Sequence, residues 1–224
     1  MPSTRSKGFR SDLKIIVIGT SGTGKTSFVN KWTKNIFSET YKATIVSEFG
    51  FKIFECDQKL YRIQLWDLAG QDKNAMITKI FAKDAHGVIV LCDATNKQTR
   101  EETTKWKASV DESSSFLDGG KLPCILVENK IDLVENEPDD GELKSFSDKN
   151  DFIGCFRASA KTGENINESM EFLIKNIIKR MEDMNKNDAQ GKNEDVFDKN
   201  KRTSVRLDNK NHTNVRKGKN GGCC

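Results

Sequence analysis

Gly19-Thr20-Ser21-Gly22-Thr23-Gly24-Lys25-Thr26 is the stretch whose reading decides the fold. It matches the phosphate-binding loop G-x-x-x-x-G-K-[ST] at every specified position. Just before it, Leu13 to Ile18 is a short β-branched run closed by Gly19, which reads as a buried strand feeding a tight loop. A helix is predicted from about Lys25. Strand, glycine loop and helix in that order gather backbone N–H groups and the positive end of a helix around one point, where phosphate oxygens can sit. Lys25 would then bridge the β- and γ-phosphates of a nucleoside triphosphate, and the Thr26 hydroxyl would ligate Mg²⁺. The bland alternative is a glycine turn capped by a threonine, and the flanking strand and helix count against it.

Outward from this loop the chain repeats the same alternation. Phe49, Phe51 and Ile53 alternate with other side chains, as do Tyr61, Ile63 and Leu65, with the polar turn Asp57-Gln58-Lys59 between them. Those runs predict an antiparallel hairpin. Val88 to Cys92 and Cys124 to Val127 predict central strands, and Ile166, Met170, Leu173, Ile174, Ile177 and Met181 recur at helical spacing. Alternating strands and helices call for an α/β fold with a mostly parallel sheet. From Asn185 to Asn220 the apolar residues shrink to Ala189, Val196, Phe197, Val205, Leu207 and Val215, too few to offset the entropy of ordering. The expected organisation is a flexible start over 1–11, one globular domain over 12–182 and a disordered tail over 183–224.

Composition narrows the function classes. The 224 residues carry 37 basic and 33 acidic side chains, a net charge of +4, far short of a chain that coats duplex DNA. No run approaches the roughly 18 apolar residues of a membrane span, and the polar start lacks the apolar core of a signal peptide. The six cysteines form no metal-type Cys-x-x-Cys pair, which fits a reducing cytoplasm.

A phosphate loop does not name a base. Asn129-Lys130-Ile131-Asp132 follows an apolar strand at the carboxyl edge of the sheet, where open α/β folds bind ligands; the similar Asn185-Lys186-Asn187-Asp188 does not. A carboxylate at Asp132 accepts from guanine N1–H and its 2-amino group, a donor pair adenine lacks. The Lys130 stem can cover the base and Asn129 can tie this loop to the phosphate loop. Asp-x-x-Gly occurs at Asp67, Asp84, Asp151 and Asp188, but only Asp67-Leu68-Ala69-Gly70 ends a clear strand. There Asp67 can hold Mg²⁺ through water, the Gly70 N–H can meet the γ-phosphate, and Gln71 can orient an attacking water.

These strings, with Tyr41-Lys42-Ala43-Thr44-Ile45 and Ser159-Ala160-Lys161, stand in the order and spacing of the small Ras-like GTPases, which the chain resembles over about residues 12–182. Trp66-Asp67-Leu68-Ala69-Gly70-Gln71 and the terminal Cys223-Cys224 resemble the Rab branch, which regulates vesicle traffic. The resemblance implies a P-loop NTPase fold: a mostly parallel six-stranded sheet, one antiparallel hairpin pairing and helices on both faces. It implies GTP or GDP held by Ser21, Gly22, Thr23, Gly24, Lys25, Thr26 and Ser27, with Phe37 against the guanine edge and Ser159, Ala160 and Lys161 at the base. Thr44 becomes a ligand of Mg²⁺ and γ-phosphate beside Thr26 and Asp67, and Gln71, Lys25 and Thr44 the catalytic set. Slow GTP hydrolysis, effectors of the GTP form, an exchange factor, a GTPase-activating protein, an escort protein and a GDP-dissociation inhibitor follow. Cys223 and Cys224 become lipidation sites, anchoring the chain to the cytoplasmic face of an intracellular membrane between visits to the cytosol. No nucleic-acid partner is expected.

The departures are as specific. Val46 replaces a usual glycine, Lys73-Asn74 an Arg-Phe, and Glu128 a small residue, placing an acid close to the base loop. The stretch Asp111 to Lys121 is long and reads as a surface loop. A nucleotide-holding scaffold with little turnover therefore stays open, while an ATP-using phosphotransferase conflicts with Asp132. His86 and His212 lack ligand-spaced partners, and Trp32 and Trp106 read as packing or surface anchors rather than cofactor contacts.

Overall fold

The computed structural model describes residues 9–40, 42–70, 75–135 and 140–202. The chain divides into two units, Met1–Glu182 and Asp183–Cys224. In the first, the strands are β1 (Phe9–Ile18), β2 (Ser47–Cys56), β3 (Lys59–Leu68), β4 (Gly87–Asp93), β5 (Cys124–Asn129) and β6 (Gly154–Ala158). The helices are α1 (Lys25–Lys34), α2 (Ala75–Ala82), α3 (Lys97–Ser113), α4 (Asp140–Lys149) and α5 (Ile166–Arg202), the last of which continues past the first unit, with a 3₁₀ turn at Ile131–Leu133. The strands form one six-stranded sheet in the order β2-β3-β1-β4-β5-β6. Every neighbouring pair is parallel except β2 with β3.

Local chemistry explains these elements. All seven residues of β4 and all six of β5 are buried, as expected of parallel strands covered on both faces. The hairpin turns through Asp57 and Gln58 alone, both at positive φ (48° and 62°), the twist that joins two strands without splaying them. β1 and β4 run side by side, so Ile18 and Asp93 both end at the carboxyl edge, and the loops after them open there. α5 lies over Gly87 and Gly154, where a Cβ would stand 2.6 Å from the Ile177 Cδ1 and 2.7 Å from the Phe172 ring.

Two expectations need correction. β1 begins at Phe9, ahead of the expected domain start at 12, because backbone pairing of Phe9 and Ser11 with Leu60 and Tyr61 carries the strand past its apolar run. The segment from Asn185 to Arg202 is helical rather than disordered. Counting apolar residues missed this, since extending an existing helix avoids nucleation and needs only compatible residues; no proline interrupts the segment, and Lys186 pairs with Asp183 at 3.3 Å. The Asp111–Lys121 stretch is a surface loop once α3 ends at Ser113, with Leu117 exposed and Phe116 buried beneath it. Arg180 then clamps it, forking onto the Asp118 carboxylate, donating to the Lys121 carbonyl at 2.7 Å and lying over the Phe116 ring.

Other residues behave as read. Trp32 is buried on α1, and His86 accepts the Lys14 N–H through Nδ1 at 3.1 Å, a structural role. Cys92 and Cys124 are buried free thiols whose pKa values burial pushes up. No helix among the described residues is long and apolar enough to cross a membrane. His212 lies outside the described residues.

Ile89, fully buried between Val17 of β1 and Ile125 of β5, sits at the centre of this core. Ile89→Ala is expected to cost about 2–5 kcal/mol of stability in chemical denaturation. A loss below about 1 kcal/mol would place Ile89 outside the packed core.

Candidate nucleotide-binding site

A cavity of about 570 Å³ opens at the carboxyl edge of the sheet, within the size range of ligand pockets. Its floor is the loop between β1 and α1. Gly22 and Gly24 take positive φ (81° and 90°), curling the backbone so that the first N–H groups of α1 face the cavity. Gly24 is the N-cap, and no side chain covers those donors. Gly70 closes the other wall so tightly that a Cβ there would strike the Lys25 ammonium, the Ser21 N–H and the Gly19 carbonyl.

Lys25 is 6% exposed and donates to the Gly19 and Thr20 carbonyls, both at 2.9 Å. Burial lowers its pKa to about 8, against the pull of Asp67. The Thr26 hydroxyl lies 2.5 Å from Asp67 Oδ2 and 3.0 Å from the Thr44 hydroxyl. Asp67 is fully buried, and burial raises its pKa to about 6 despite the hydrogen bond from Thr26 and the charge of Lys25. Its Oδ1 is buried without a hydrogen-bond partner. One orphaned carboxylate oxygen beside two hydroxyls is a hard oxygen set, which fits Mg²⁺ completed by water and phosphate. Among the described residues no cluster of three or more His, Cys, Asp or Glu side chains could hold a metal, so such an ion would depend on these hydroxyls.

At the far end, Asn129 is buried and two-handed. Its Nδ2 donates to the Thr23 carbonyl at 2.9 Å, and its Oδ1 accepts the Ala160 N–H at 3.0 Å. Asp132 is aimed by the Ser159 hydroxyl, 2.5 Å from Oδ1. Lys130, at φ 69°, stretches its ammonium to Asp93 Oδ2 at 2.5 Å, which leaves its stem along the cavity. Burial alone would raise Asp93, but hydrogen bonds from Lys130 and Thr95 overcome it and hold the carboxyl below its usual range. Lys161 and Glu39 pair at 3.3 Å across the mouth.

Of the residues singled out in the sequence, Ser21, Gly22, Gly24, Lys25, Thr26, Ser27, Phe37, Thr44, Gly70, Asn129, Lys130, Asp132, Ala160 and Lys161 line the cavity. Thr23, Asp67 and Ser159 are wholly buried behind the wall: Thr23 and Ser159 act through the neighbours they hold, whereas Asp67 keeps its Oδ1 unpartnered beside the Thr26 and Thr44 hydroxyls. Gln71, Tyr41, Lys73 and Asn74 lie outside the described residues. Sequence reasoning missed Glu48, which lines the cavity because its register sets it opposite Asp67, and Asp93, which holds Lys130. Asp93 could have been found by the criterion used for Asp67, an acid ending an apolar strand at the carboxyl edge. Glu128 is not an uncompensated acid beside the base: it is buried between Arg157 at 3.0 Å and Arg100 at 3.6 Å, and it does not line the cavity.

A carboxyl whose pKa is raised from 3.8 to about 6 binds more protons folded than unfolded, so its contribution to stability falls as pH rises through that window. In ligand-free, metal-chelated protein, Asp67→Asn and the parent should be alike in this respect below about pH 4, and the variant should gain up to about 3 kcal/mol by pH 7. Chemical denaturation at stepped pH measures the gap; a gap independent of pH would rule out the assigned environment of Asp67.

With this geometry in place, comparison with known proteins is specific. The family model for the Ras family matches residues 14–179. The chain is 34% identical over 167 residues to human Ras-related protein Rab-7L1, covering 74% of this chain and 82% of that one. It is 38% identical over 170 residues to Ras-related protein Rab-32A of Dictyostelium discoideum, covering 74% and 78%. Against Ras-related protein Rab-32 of Mus musculus the identity is 35% over 179 residues, covering 79% and 78%. The chain therefore belongs to the Rab branch of the Ras family and is a Rab-like small GTPase of membrane trafficking.

Proposed function

We propose that this chain is an Mg²⁺-dependent GTP/GDP switch that hydrolyses GTP slowly and cycles between cytosol and the cytoplasmic face of an intracellular membrane. The observation that carries the reading is one cavity with two chemically distinct ends. The Lys25, Thr26, Thr44 and Asp67 groups meet at one, and Asp132, aimed by Ser159, stands at the other. The first suits phosphate and a hard cation, the second a base that presents two adjacent donors.

In this reading Lys25 exchanges its bonds to the Gly19 and Thr20 carbonyls for β- and γ-phosphate oxygens, and the added anion restores its full charge. Mg²⁺ held by Thr26, Thr44 and Asp67 would neutralise developing phosphate charge. Thr44 and Gly70 report the γ-phosphate from opposite walls, while Gln71 orients the attacking water. Next to Thr44, Ile45 is 90% exposed and Phe49 51%. Phe49 meets Trp66 at 5.1 Å between ring centroids, and Trp66 meets Phe81 at 5.4 Å. An apolar surface adjoining a phosphate-sensing residue supports effector binding that depends on the nucleotide. Exchange factor, activating protein, escort protein and GDP-dissociation inhibitor belong to the same cycle.

Single-turnover hydrolysis tests the switch. An activating protein of this class should accelerate GTP hydrolysis by about 10³ to 10⁵ on the parent chain, and Gln71→Leu should remove most of that gain while ATP fails to compete. Equal hydrolysis by parent and variant would favour a nucleotide-holding scaffold instead.

The tail supports the membrane half of the cycle. From Lys199 to Lys219 there are eight basic residues and one acid, Asp208, followed by Cys223-Cys224. A single lipid chain binds reversibly whereas two anchor firmly, and the basic stretch adds attraction to anionic leaflets. The Cys223→Ser, Cys224→Ser double variant should keep its nucleotide affinity and move from the membrane to the cytosolic fraction. Retention on membranes would defeat the lipid-anchor reading.

A further inference from the structure

β2 is an edge strand, paired with β3 on one side and with no strand on the other among the described residues. Proteins normally protect such edges with a short strand, a proline, a bulge or an inward-facing charge. Ser47–Cys56 has ten residues, no proline and an unbroken register with β3 from Ser47↔Leu68 to Cys56↔Lys59, and its two inward-side charges, Glu48 and Lys52, are of opposite sign and so do not repel a second copy. Among the described residues, the backbone of Ser47–Phe54 makes no hydrogen bond beyond that ladder.

Its two faces differ. Glu48, Gly50 and Lys52 share the α1 side, where Gly50 abuts Val29 and Thr33, and Lys52 donates to the Trp32 carbonyl at 3.0 Å. Phe49, Phe51 and Ile53 share the other side and are 51%, 57% and 44% exposed.

We propose that β2 pairs antiparallel with β2 of a second copy of this chain, about a two-fold axis through Gly50, joining the two sheets into one. A two-fold pairing of this kind is defined by the residue on its axis, and like faces must meet. With Gly50 there, Phe49 stands opposite the partner's Phe51 and Glu48 opposite the partner's Lys52, each contact occurring twice. Moving the axis to Phe51 would set Glu48 against the partner's Phe54 and Lys52 against the partner's Gly50, losing both ion pairs. Moving it to Phe49 would set Lys52 against the partner's Val46. Only the Gly50 register pairs the charges and the aromatic rings together, and the glycine leaves the axis free of side chains. Pairing would also bring the partner beside Phe49, so self-association competes with binding at the exposed aromatic surface. The inference rests on the sheet edge and not on nucleotide chemistry.

Sedimentation equilibrium of the full chain under reducing conditions, over a wide micromolar range, tests it. The weight-average mass should rise from 25.3 kDa towards twice that value, and Phe51→Glu should hold it at 25.3 kDa with an unchanged thermal midpoint. A second measurement fixes the register independently of that variant. In a background of Cys56→Ser, Cys155→Ser, Cys223→Ser and Cys224→Ser, Phe49→Cys mixed with Phe51→Cys should give a disulfide dimer under mild copper oxidation, and neither should do so alone. A constant 25.3 kDa at every concentration would overturn the proposal, as would a dimer that survives Phe51→Glu or cross-linking as efficient in each single variant as in the mixture.

Discussion

The side-chain amide of Asn129 makes one site out of three separate loops. It donates to the Thr23 carbonyl of the phosphate loop and accepts from the Ala160 N–H beyond β6, and it is 1% exposed while doing both. A buried amide left half-satisfied costs about 1–3 kcal/mol, so the phosphate loop, the base loop and the β6 loop are tied to one geometry. The same amide explains Gly24: a Cβ there would strike Asn129 Nδ2. β5 places Asn129 through its pairing with β4 and β6, opposite Asp93 and Ala158. The sheet register thus sets the distance between the phosphate end and the base end.

Around that frame burial sets the charge balance of the site. Lys25 and Asp67 attract one another, yet burial wins on both, lowering the lysine and raising the acid. Each is kept charged more cheaply once an anion lies against the lysine and a cation against the carboxylate. The Thr44 hydroxyl touches Thr26, and the exposed Ile45 follows it directly. Val46 ties that segment to the opposite wall through its carbonyl, which accepts the Ala69 N–H at 3.0 Å.

Glu128 shows how tertiary context reverses a local reading. As a sequence feature it is a negative charge beside the guanine-reading loop. In the fold its side chain points away from the cavity into a buried network with Arg100 and Arg157, and Arg100 also reaches Glu142 at 2.6 Å. Removing one member of such a network leaves a buried charge unpaired, so Glu128 bears on stability before it bears on base affinity.

The resemblance to the small Ras-like GTPases supplied Phe37, Thr44, Ala160 and Lys161, whereas the residues by themselves determined the α/β class, the strand, loop and helix order at the phosphate loop, and that loop's lysine and threonine. These rest on short-range physics: β-branched runs, glycines that permit positive φ, and a lysine and threonine at fixed offsets within one turn of backbone. It could also separate Asp67 from its three decoys, because strand context is itself a local pattern. Only the tertiary structure decided which residues touch the cavity and which stand behind it. Thr23, Asp67 and Ser159 are buried, Asp93 restrains Lys130, and Glu48 reaches the pocket by its register opposite Asp67. Those placements depend on pairings between segments far apart in the chain, as do the Arg180 clamp on Asp118 and the neutralised Glu128. The extension of α5 to Arg202 was missed for a different reason: composition measures what can nucleate and pack, whereas a helix already anchored by Ile166 to Ile178 can propagate through polar residues that would not start one.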